Sequence, residues 1–157
     1  MSRVIFMCGP SGAGKSTYAQ GLEQDGMVRL SFDAEAWKRG IFVVPFPPGV
    51  REDIEAHLRA RLLELVAHGI DVVLDFSFWS RQMRSDYRRL LEPTGVVPET
   101  VYLATDRATV LERVRARRTS HPDDYLLDDD LAAHYFDHFE PPTPDEGPLT
   151  VIPSPSQ

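Results

Sequence analysis

The chain has 157 residues, 42% hydrophobic and 26% charged, the balance of an ordinary globular protein able to bury a core without disulfides or a structural metal. No apolar run approaches the ~18 residues of a membrane span. Seventeen basic against twenty-four acidic residues leave a net charge of −7, which disfavours a broad nucleic-acid surface, and the single cysteine excludes an intrachain disulfide.

In chain order, Met1-Ser2-Arg3 leads directly into the apolar run Val4-Ile5-Phe6-Met7, read as a buried strand with no signal-peptide pattern, so the expected location is cytoplasmic. Cys8 extends this run and reads as a structural thiol. Met27–Leu30 is the expected second strand and Ala34–Arg39 a short helix. Val50, Ile54, Leu58, Leu62, Leu65 and Val66 recur at helical spacing until Gly69 stops the helix. Ile70–Leu74 is the third strand, and Met83, Tyr87, Leu90 and Leu91 stripe a helix closed by Pro93. Thr100–Leu103 is the fourth strand, and Val110, Leu111 and Val114 stripe the next helix. Leu131, Tyr135 and Phe139 mark another helix before Pro141-Pro142, and the proline-rich tail holds a last strand at Leu149–Ile152. With no repeat or linker, the expectation is one domain over 1–157. Strands alternating with helices predict an α/β fold, a parallel sheet covered on both faces.

One motif points to chemistry. Gly9-Pro10-Ser11-Gly12-Ala13-Gly14-Lys15-Ser16 satisfies G-x-x-x-x-G-K-[ST] without deviation, after a strand and at the start of a helix. Glycines let successive backbone N–H groups converge on phosphate oxygens at the helix N-terminus. Lys15, one of only two lysines, is placed to reach the β- and γ-phosphates, and the Ser16 hydroxyl to ligate Mg²⁺. The expected nucleotide contacts are therefore Gly9, Ser11, Gly12, Ala13, Gly14, Lys15, Ser16 and Thr17, with ATP and Mg²⁺ as cofactors. No N-K-x-D motif supports guanine specificity.

On these residues the chain resembles the adenylate-kinase-like P-loop kinases, closest to the small zeta-toxin-like and polynucleotide-kinase-like ATPases. The resemblance implies a three-layer P-loop NTPase fold, a five-stranded parallel sheet of order 2-3-1-4-5 with helices on both faces and a short lid. It implies that Asp33, in Ser31-Phe32-Asp33 after the second strand, accepts the proton of the attacking hydroxyl; the alternative is that Asp33 caps the following helix. It makes Asp75, closing Val72-Val73-Leu74, a Walker-B-like carboxylate holding a Mg²⁺-bound water. Substrate contacts are expected from Trp37, Phe78, Trp79 and Arg81, though for one of Phe76 and Phe78 packing beneath the next helix is the favoured reading. Arg113 and Arg117, an R-x-x-x-R pair on one helix face, match the arginines that stack on adenine and reach the phosphates, or else form a solvated basic face. Thr119 to Asp130 would be the lid.

The segment following the third strand, Phe76-Ser77-Phe78-Trp79, departs from the glycine-rich pattern with which adenylate kinases bind a second nucleotide. In its place stands the apolar loop 40–49, fitted to wrap a substrate or to pack on a neighbouring subunit. The resulting expectation is an ATP-dependent kinase acting on a small-molecule hydroxyl. The alternatives are a 5′-hydroxyl polynucleotide kinase, for which nucleic acid would be a 5′-end substrate, and a nucleotide-dependent binding module without an acceptor.

Overall fold

The computed structural model describes residues 2–9, 14–41, 47–76, 78–117, 133–134 and 136–153, the side chains of 114–117 excepted. Five parallel strands form one sheet in the order β2-β3-β1-β4-β5, the order the resemblance implied. They are β1 (Val4–Cys8), β2 (Val28–Ser31), β3 (Val72–Asp75), β4 (Glu99–Ala104) and β5 (Leu149–Pro153). The helices are α1 (Lys15–Gln24), α2 (Phe32–Lys38), α3 (Val50–Ala67), α4 (Arg81–Leu91) and α5 (Arg107–Arg117). Among the described residues no helix is long and apolar enough to cross a membrane.

The continuous apolar run of β1 has the meaning expected of a central parallel strand, because it is covered on both faces. Val4, Phe6 and Cys8 pack toward Ala36 of α2, Ile54, Leu58 and Leu62 of α3 and Tyr87 of α4. Ile5 and Met7 point the other way, against Ala19 of α1 and, across the sheet, Val73 and Val101. Leu62 is completely buried in the larger cluster, so Leu62→Ala would cost ~2–5 kcal/mol.

Strand boundaries shift where packing overrides the local pattern. β3 starts at Val72 rather than Ile70, because Ile70 still donates its N–H to Leu65 O (3.0 Å) in the exit of α3, and pairing with β1 begins at Val4–Val72. α2 starts at Phe32, two residues earlier than its composition suggested. The C-terminal segment is folded onto the body of the protein. A 3₁₀ turn at Pro144–Glu146, with a capping box between Thr143 and Glu146, leads into β5, which pairs with β4 from Thr100–Leu149 to Ala104–Pro153.

Candidate functional site

The C-terminal ends of β1, β2 and β3 bring the candidate residues to one edge of the sheet. Gly9 follows β1, and the chain re-enters the description at Gly14, whose φ of +94 is open to glycine and strained for any L-residue. A Cβ added there would also stand 3.2 Å from Arg113 Nη1, so the guanidinium of α5 lies directly against the turn. Lys15 opens α1 and is 9% exposed, and among the described residues no hydrogen bond or ion pair engages its ammonium. The first turn of α1 carries no acidic residue to neutralise it. A lysine at a helix N-terminus that has no acidic side chain in its first turn is electrostatically suited to an anion. Ser16 is half-buried and Thr17 exposed; Ser11, Gly12 and Ala13 lie outside the described residues.

At the end of β2 the cap of α2 is Ser31, whose hydroxyl accepts the Ala34 N–H at 3.2 Å. The capping alternative for Asp33 is thereby corrected: Asp33 sits inside the first turn, exposed to solvent, while the residue two positions earlier does the capping. Trp37, half-buried, lies one turn along the same helix face.

Asp75 is buried at the end of β3, in register beside Ser31. Its Oδ2 accepts hydrogen bonds from Arg29 Nη2 (2.8 Å) and Nε (3.1 Å), an ion pair that sequence reasoning missed. The available signal was an arginine inside an otherwise apolar strand. Asp75 Oδ1 is buried and has no hydrogen-bond partner among the described residues.

Beyond Asp75 the aromatic run divides. Phe78 is fully buried, stacked on Phe6 with centroids 4.4 Å apart and edge-on to Tyr87 at 5.3 Å. Its assignment as a substrate contact is corrected, because the ring is enclosed in the core and presents no surface. Phe76 is buried as well, against Phe32 at 4.8 Å. Trp79 alone of the three stays out, 47% exposed. The Arg81 guanidinium turns toward the C-terminal segment, pairing with Asp145 at 2.9 Å, and its backbone N–H bonds Glu140 at 3.2 Å. Arg117 ends α5 with its side chain outside the description, as is the whole of the expected lid.

The family profile described as AAA domain matches residues 4–142, from the start of β1 to beyond the α5 region. The chain belongs to the AAA domain family. No curated protein sequence matches it. Among solved structures, this AAA domain superposes on a gluconokinase from Sinorhizobium meliloti with a TM-score of 0.67 at 22% identity, covering 99% of this chain and 84% of that one. It superposes on Kti12 from Chaetomium thermophilum, bound to ADP-AlF3, with a TM-score of 0.69 at 15% identity over 96% and 88% of the two chains. It also matches a chain of the Pnkp1/Rnl/Hen1 RNA repair complex, TM-score 0.75 at 14% identity, with 87% of this chain on 43% of that one. At these identities the likeness is one of fold.

The AAA domain's oxygens suit Mg²⁺. That ion is commonly held by one or two protein oxygens, with water and phosphate completing an octahedron, rather than by an all-protein cage. Among the described residues no group of three or more His, Cys, Asp or Glu is placed to hold a metal ion. The orphaned Asp75 Oδ1 and the Ser16 hydroxyl are hard donors of the right kind, and burial without a partner is costly for a carboxylate oxygen unless something else meets it.

Proposed function

We propose that this AAA domain transfers the γ-phosphate of ATP to a hydroxyl group of a small-molecule acceptor. The observation that carries the reading is Lys15: a largely buried lysine with no ion pair among the described residues, in the first turn of a helix and directly after a glycine held in the left-handed conformation. A net charge of −7 favours a small acceptor over a polynucleotide, and Trp79 offers an exposed indole against which an acceptor can pack. The likeness to a gluconokinase is in keeping with that choice.

In this reading the acceptor oxygen attacks the γ-phosphorus, a new O–P bond forms, and the bond from that phosphorus to the β,γ-bridging oxygen breaks to release ADP. Asp33, exposed in the first turn of α2, orients the acceptor hydroxyl and takes its proton. Lys15 bears on the β- and γ-phosphates, where charge moves during transfer. Arg113, already against Gly14, closes the nucleotide side, and Arg117, one turn on, is assigned to the phosphates. Ser16 and Asp75 would hold Mg²⁺, which when bound offsets the phosphate charge; Arg29 keeps the Asp75 carboxylate from turning away.

Labelled ATP offered with panels of sugars, sugar acids, nucleosides, antibiotics and 5′-hydroxyl oligonucleotides tests the proposal. Transfer to a small molecule, lost at least about a hundredfold in a folded Lys15→Ala variant, is the expected result. Near wild-type transfer by that variant refutes it, and exclusive transfer to oligonucleotides replaces it with the polynucleotide-kinase reading, which the likeness to the RNA repair complex keeps in view.

A further inference from the structure

Phe78 is the only non-glycine residue with positive φ among the described residues, at +48, three positions after Asp75. A bulky L-residue held there stores ~1–3 kcal/mol of strain and persists only where its surroundings over-determine it. The surroundings are specific. Arg84 of α4, completely buried, donates from Nη1 to the Phe78 carbonyl at 2.7 Å. The Cys8 thiol at the end of β1 donates to the same carbonyl at 3.4 Å, and Arg84 Nη1 lies 3.8 Å from its sulfur.

The remaining nitrogens of Arg84 fork onto Glu146, Nε to Oε1 at 2.7 Å and Nη2 to Oε2 at 3.3 Å. Glu146 is fixed in turn by the Thr143 N–H (2.9 Å) and by Arg88 Nη1 (3.3 Å), and Arg88 Nη2 donates to Thr100 of β4 (3.1 Å). On the outer side the Glu140 N–H donates to the Trp79 carbonyl at 2.7 Å. The residues that turn Phe78 inward and Trp79 outward are thus anchored to a segment more than sixty positions away.

We infer that Arg84 is a positioning residue: seated on Glu146, it locks the turn at Phe78 and thereby sets where Trp79 stands on the acceptor side of the site. The segment Glu140–Glu146 is then a brace for the working edge of the sheet, not a passive tail. The acceptor side of the site rests on the kinase reading; the locking of the turn does not. A bidentate fork suits this task because it fixes the plane of the guanidinium, leaving the third nitrogen aimed at one carbonyl.

The quenching arm uses the full chain in a Trp37→Phe background, so that Trp79 is the only indole, while exchange, binding and kinetics are measured with Trp37 in place. Glu146→Gln frees the fork, and Arg84→Lys, which keeps the charge and one donor for the Phe78 carbonyl, serves if the first variant does not fold. Expected are at least tenfold faster hydrogen exchange at the Phe78 amide and stronger acrylamide quenching of Trp79, both smaller in Arg84→Lys. Affinity for a non-hydrolysable ATP analogue should stay within twofold, while the KM for the acceptor rises severalfold more than kcat falls. Unchanged exchange and quenching overturn the inference, as does a freed turn with unaltered acceptor kinetics. If wild type transfers phosphate to nothing, the kinase reading fails by itself, and the exchange and quenching results decide the locking of the turn.

Discussion

Replacing Glu146 with glutamine removes the one carboxylate that two arginines share and strands Arg84, which has no exposed surface, as a buried cation. Breaking a buried pair by neutralising one partner costs ~3–5 kcal/mol. The glutamine carbonyl can still accept one hydrogen bond, which places the expected loss near the lower bound, ~3 kcal/mol. For a chain of this length that corresponds to a fall in Tm of about 6–12 °C. Asp145→Asn is the internal control: its pair with Arg81 is more than half exposed on both sides, and its loss should leave the unfolding midpoint nearly unchanged. Acid adds a second signature. Burial by itself would raise the Glu146 pKa, but the Arg84 hydrogen bond, the Thr143 N–H and the Arg84 charge outweigh it and bring the group from 4.5 to about 2. A folded-state value below the unfolded one means the contribution is complete above about pH 4.5 and is lost as pH falls toward 2. Urea unfolding followed by circular dichroism from pH 7 downward should therefore show a wide gap between wild type and Glu146→Gln at neutrality that narrows through this window. A neutral-pH gap under ~1 kcal/mol, or one independent of pH, would refute the assignment of Glu146 as a buried counter-ion.

The two aspartates should separate in kinetics: Asp33→Asn lowers kcat with little change in ATP-analogue affinity, whereas Asp75→Asn raises the Mg²⁺ concentration needed for half-maximal rate. Identical rates and metal dependence in both variants would reduce them to structural residues. Gly14→Ala places an L-residue at φ +94 with its Cβ against Arg113 Nη1; with ~1–2 kcal/mol of strain at the nucleotide's own turn, ATP-analogue affinity should drop about tenfold in a calorimetric titration. Arg113→Ala should raise the KM for ATP and Arg117→Ala should lower kcat, and steady-state kinetics in which both are silent would return the pair to a solvated face.

Much of this fold was legible along the chain, since its causes are local. A five-residue apolar run bounded by glycine reads as a strand covered on both faces, and the spacing of Ile54, Leu58, Leu62 and Leu65 places one side of α3 in the core. The Gly9–Ser16 motif was equally legible, because its glycines, its lysine and the helix that follows are contiguous; of its turn the described part is Gly14, which is left-handed. What the sequence could not decide was which side chains separated by many residues would meet. Asp75 reads as a strand-terminal carboxylate, yet Arg29, forty-six positions earlier, claims one of its oxygens. Ser31 and Asp33 are both competent caps, and only the point where β2 leaves the sheet selects Ser31. Phe78 and Trp79 are neighbours of similar hydrophobicity, and one is in the core while the other faces solvent because Arg84 and Glu146 lock the turn between them. Nothing local in the sequence distinguishes Arg84 from Arg81, Arg88 and Arg89 of the same helix. Periodicity and turn sterics act over a few residues and are written in order along the chain, whereas the partner of a charge is chosen by the crossovers that lay one strand beside another.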